Sequence, residues 1–139
     1  MFSHDDRDFV DSHGATLAGG ERYLWVGDRA ANRIVVVDTQ QDTVVEEIAL
    51  PGALSQDPAP DLMDVSPDGS RVFVALRGQS PLTANAAAAN NAVGSTPGLA
   101  VVRVGENGRT GRLEALLRMT RMVDGAEKAD PHGLRVRVR

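Results

Sequence analysis

The chain has 139 residues, 42% of them hydrophobic, which suits one ordinary domain with a core and excludes a chain disordered by composition. Its 15 basic and 19 acidic residues give a net charge of −4, so no basic footprint for nucleic acid exists. Cysteine is absent, which excludes disulfides and thiolate metal sites, and no apolar run approaches the ~20 residues that cross a bilayer.

The first residues, MFSHDDRDFVDSHG, are acidic and lack an apolar core, so they do not read as a signal peptide. The compartment stays open, and a periplasmic or secreted location is compatible with the chain being a portion of a longer protein. His4, Asp5, Asp6 and Asp8 form a cation-binding candidate, but their spacing fits no Ca²⁺ loop and reads as a solvated acidic loop.

From His13 onward the chain repeats. HGATLAGGERYLWVGDR, starting at His13, aligns without gaps on DLMDVSPDGSRVFVALR, starting at Asp61, at an offset of 48 residues. The offset pairs Leu17 with Val65, Leu24 with Val72, Trp25 with Phe73 and Val26 with Val74. Each segment is an apolar stretch, a turn and a second apolar run. In Pro67-Asp68-Gly69 the turn has its own chemistry: Pro presets φ, Asp bonds local backbone and Gly accepts positive φ. NRIVVVDT, QQD and TVVEEIAL then read as a hairpin of β-branched strands. GLAVVRV, GENGRTGR and LEALLRM form its counterpart, with Asn107-Gly108 as the turn dipeptide. LEALLRM alone fits a helical turn; its place in the repeat makes it a strand.

The expected fold class is therefore all-β, a partial propeller of about two four-stranded antiparallel blades plus the first strand of a third. One domain spans 1–139, with blades over 13–52 and 60–119. The second blade carries an inserted loop at 78–98, with one helical turn expected at Ala86–Ala89. The third copy opens at Asp130, where DPHG matches the DSHG of Asp11 to Gly14 and sets His132 opposite His13. LRVRVR alternates as a half-buried strand does.

Two stretches carry a family resemblance. DRAANRIVVVDTQQDTVVEEIALPG resembles the YVTN-type repeat of bacterial β-propellers, and VSPDGSRVFVALRG resembles that family's turn-and-strand. The likeness covers about Asp11 to Arg118 plus the last ten residues. It implies a ring of about four to eight blades, so this chain reads as part of a larger propeller, completed by further blades of a longer chain or by self-association. It implies no shared catalytic residues, because the family spans surface-layer proteins, propellers of unknown ligand and relatives of lactonases and cytochrome d1-type propellers.

In propellers of this kind the first strand lines the central channel, so His13, Asp61 and His132 are the candidate channel-face ligands. Two imidazoles and a carboxylate form a transition-metal candidate set; the alternative is turn chemistry at the opening of each blade, with no cofactor. Arg29 and Arg77 align and either receive an anion or pair with a carboxylate such as Asp28 or Asp38. Trp25 and Phe73 read as packing between blades. Ser12-His13 lacks a nucleophile elbow, and Ser66 belongs to its turn. Three functions follow: a scaffold binding a ligand or protein by the channel face and the 78–98 loop, a lactonase-like or metal-assisted hydrolase, or a surface repeat protein.

Overall fold

The structure, a computed structural model, describes residues 11–78 and 94–138. The acidic cluster at 4–8, the helical turn expected at 86–89 and most of the 78–98 insertion lie outside the described residues.

Strands β1 (Ser12–Ala18), β2 (Tyr23–Asp28), β3 (Arg33–Asp38) and β4 (Thr43–Ala49) form one antiparallel sheet in chain order. Strands β5 (Pro60–Val65), β6 (Arg71–Leu76), β7 (Gly98–Gly105) and β8 (Thr110–Arg118) form a second of the same order. These are the two blades expected from the repeat, and LEALLRM is a strand. Turn chemistry explains the reversals. Asn32 and Asp42 take φ near +53° between strands, a region Asn and Asp tolerate. In the SPDG turn, Asp68 accepts from the Ser66 and Ser70 hydroxyls at 2.6 and 2.9 Å and from the Ser70 amide at 3.0 Å. These donors hold the Asp68 carboxyl down to about 2.

Strand alternation places one apolar set from each sheet in a shared core. Trp25, Ile34, Val36 and Ile48 face Met63, Val72, Val74, Ala100 and Val102. Burying each aliphatic side chain here contributes roughly 1.5–3 kcal/mol against leaving it in water. Trp25 is fully buried, and its indole donates to the Gly108 carbonyl at 2.7 Å, in the β7–β8 turn of the other blade. The same turn meets the β1–β2 turn closely. A Cβ on Gly19, at φ +62°, would meet the Asn107 carbonyl oxygen at 1.5 Å.

The end of the chain departs from expectation. Arg121–Val123 (β9) and Ala126–Lys128 (β10) form a short hairpin that the repeat did not announce. Residues 130–138 carry no strand, although LRVRVR has the right alternation. The physical reason is that a strand needs a neighbour for its backbone, and among the described residues this segment has no ladder partner. It lies instead against β5, where the Leu62 amide donates to the His132 carbonyl at 3.3 Å and the Val136 amide to Asp64 Oδ2 at 2.9 Å.

Candidate functional site

The two blades position their charged ends identically. The Arg29 amide, just past β2, donates to the Asp11 carbonyl at 3.0 Å; the Arg77 amide, just past β6, donates to the Ala59 carbonyl at 2.9 Å. This repeated backbone bond brings each arginine beside the first strand of its blade, and their side chains converge on Asp61.

Asp61 is the centre of the cluster and is fully buried. Its Oδ2 takes Arg29 Nη1 at 3.3 Å, Arg77 Nη1 at 3.4 Å and faces His132 Nδ1 at 3.3 Å. Its Oδ1 faces His13 Nε2 at 3.5 Å and has no hydrogen bond. Arg29 also forks onto Asp11, with Nε and Nη2 each 2.8 Å from a carboxylate oxygen. Arg77 forks onto Asp130 at 2.5 and 3.2 Å. His132 Nε2 stands 3.0 Å from Asp130 Oδ2. Each arginine thus bridges two successive repeats: Arg29 spans Asp11 and Asp61, and Arg77 spans Asp61 and Asp130. Guanidinium suits this role because its planar fork bonds one carboxylate bidentately and leaves a third nitrogen for another.

The fold brings together all five residues singled out from the sequence: His13, Asp61, His132, Arg29 and Arg77. The expected arginine partners need correction. Asp28 caps the following turn through the Ala30 amide at 3.1 Å, and Asp38 is held by Arg22 at 2.6 Å, which lowers the Asp38 carboxyl below its ordinary range. The carboxylates that serve Arg29 and Arg77 are Asp11, Asp61 and Asp130. By sequence alone Asp11 and Asp130 are turn residues; their recurrence in D-x-H-G is the signal that marks them as a pair. Burial also separates the roles: the side chains of Arg29 and Arg77 are 4% and 1% exposed, whereas those of His13 and His132 are 43% and 40% exposed. The arginines are internal clamps, and the imidazoles are the parts of the cluster that meet solvent. Trp25 packs between the blades as expected; Phe73, its repeat partner, is half-buried on the outer face of the second blade. Among the described residues no group of three His, Asp or Glu is arranged to hold a metal ion.

Two antiparallel four-stranded blades around a shared core define the chain as an all-β partial β-propeller. No family model matches it, and no curated protein does. Among solved structures it resembles Kuenenia stuttgartiensis hydrazine synthase, a β-propeller-containing protein, with a TM-score of 0.57 and 14% identity. The match covers 94% of this chain and 27% of that one. At this identity the likeness is one of fold. No helix among the described residues is long and apolar enough to cross a membrane.

Proposed function

We propose that the chain is a β-propeller module of the YVTN type acting as a binding scaffold, part of a larger propeller, with its ligand or protein partner met at the channel end by His13 and His132. The observation that supports this is the state of Asp61. Two guanidiniums and an imidazole already surround its Oδ2, so the carboxylate holds successive repeats in register rather than serving as a base or nucleophile. The same guanidiniums repel a metal cation at that oxygen, which favours a binding face over the metal-assisted hydrolase reading. The solvent-exposed imidazole rings, held by Asp61 and Asp130, supply contact surface on a rigid support.

Metal analysis and small-lactone hydrolysis measured on the wild type, His13→Ala and His132→Ala test the choice. The scaffold reading expects sub-stoichiometric metal and no turnover in all three. A stoichiometric metal, or hydrolysis, that disappears in His132→Ala would replace it with the hydrolase.

A further inference from the structure

The seam between the two blades is closed at the core and opens at the rim, where β4 and β8, the last strand of each sheet, run close together. A groove of about 410 Å³ lies between them, with Glu46 to Leu54 along one wall and Gly111 to Leu113 along the other. Ile48 and Leu50 are buried and Leu113 packs against the shared core, which makes the floor apolar. Leu54, 54% exposed, adds an apolar lip. A Cβ on Gly111 would meet Trp25 Cη2 at 2.5 Å and Ile48 Cδ1 at 2.6 Å, so β8 comes this close to the first blade only without a side chain there.

Glu46 is out of place in this groove. Ile34 pairs with Ile48 and Val36 with Glu46, and Ile34, Val36 and Ile48 are all core residues. Paired residues, and residues two apart, share one face of a sheet, so Glu46 turns toward the second blade. Val36 lies opposite Trp25 as Val101 lies opposite Phe73, and Val101 pairs with Ala115. The first blade thus carries a carboxylate where the second carries a methyl group. Glu46 is half-buried and accepts one hydrogen bond, from the Glu47 amide at 3.1 Å. Among the described residues no cationic side chain forms an ion pair with it, whereas Glu47 is held by Arg33 at 2.6 Å. Arg112 does not compensate it. Arg112 pairs with Arg103, while its neighbours Gly111 and Leu113 pair with Val104 and Val102 of the core side, so Arg112 turns to the opposite face.

An uncompensated carboxylate at the head of an apolar groove matches a cation carried beside an apolar group. We infer that the rim groove docks an extended segment of a partner protein, one with a basic residue and an aliphatic residue two positions apart. The spacing follows from β4. Glu46 and Ile48 are two residues apart on one face, about 6.5 Å, and alternate side chains of an extended segment repeat at the same distance. The basic side chain meets Glu46, and the aliphatic one lies over Ile48 and Leu113 beneath Leu54. The chain's net charge of −4 favours the approach of a basic partner. The inference goes beyond the histidine face and uses none of its residues.

The probe is the labelled peptide GLSKSLG, whose lysine has a leucine two positions away on either side and so presents the pattern in both directions. Added to the full chain, it should raise fluorescence anisotropy, and hydrogen–deuterium exchange should slow across residues 46–54 and 111–113. Glu46→Gln removes the charge and keeps an acceptor for the Glu47 amide. It should weaken binding by at least about tenfold with an unchanged unfolding midpoint. Leu54→Ser, at an exposed position, should weaken binding as well. Peptides with glutamate for the lysine, or serine for both leucines, should fail on the wild type. His13→Ala should bind as the wild type does, so loss of the histidine-face reading leaves this one standing. Absence of binding, equal binding by Glu46→Gln or by the glutamate peptide, or protection outside the groove would each overturn it. Hexylamine binding as tightly as the peptide would also overturn it, in favour of a small organic cation.

Discussion

Asp61 is the centre of the charged cluster that joins the repeats. It is buried, and its neighbours are two arginines that are themselves almost inaccessible. A buried pair of this kind adds little over apolar packing, yet removing one partner leaves an uncompensated charge, at a cost of about 3–5 kcal/mol. Asp61→Asn should therefore lower the free energy of unfolding in urea by about that amount. A loss below roughly 1 kcal/mol, the range of surface ion pairs, would show that the cluster is solvated and weak. Asp68 makes a different contribution. Its carboxyl is lowered to about 2 by three donors in the SPDG turn, and Asp38 and Glu114 are lowered by their arginines. Groups lowered on folding stabilise the fold fully above their ordinary values and lose that contribution as pH falls through the folded value. Stability should hold down to about pH 4 and fall between about 4 and 2, and Asp68→Asn should flatten that slope. An acid profile identical to the wild type's would remove Asp68 from the account.

At the scale of elements, the two blades are joined by packing at one end and charge at the other. The β1–β2 turn lies on the β7–β8 turn through Gly19 and Gly108, both at positive φ, while Trp25 reaches across to the Gly108 carbonyl. Gly19→Ala would force a methyl group onto the Asn107 carbonyl and strain a left-handed backbone, so it should destabilise by more than about 1 kcal/mol. Trp25→Ala removes the largest core side chain and should cost about 3–5 kcal/mol. Chemical denaturation of both variants is the measurement; a neutral Gly19→Ala would mean the two turns separate freely. The blades themselves were legible from the 48-residue offset because strand alternation and turn residues are local signals. The β9–β10 hairpin was not: RMV and AEK are three residues each, too short for a period to register.

For the whole molecule, neither blade has a core of its own. Trp25, Ile34 and Val36 complete theirs only against Val72, Val74 and Val102. Units that bury their faces on neighbours unfold together when they share one interface. Trp25 fluorescence, which reports the interface, and far-UV circular dichroism, which reports strands, should therefore give coincident transitions. Two separated transitions would make the blades independent. A fragment of residues 11–52 alone should remain unfolded for the same reason.

The sequence by itself determined the class of fold, the number of complete blades and the residues that meet around Asp61. Those follow from repetition: a side chain recurring at a fixed offset recurs at a fixed place in the blade. Tertiary structure alone decided what the residues do there. Arg29 and Arg77 became clamps rather than an anion site because each is held between aspartates of two successive repeats, Asp11 and Asp61 for Arg29 and Asp61 and Asp130 for Arg77, a pairing no local pattern encodes. It also decided that residues 134–138, strand-like in alternation, form no ladder among the described residues. Alternation specifies which face a residue turns to, but a strand exists only where another backbone lies beside it.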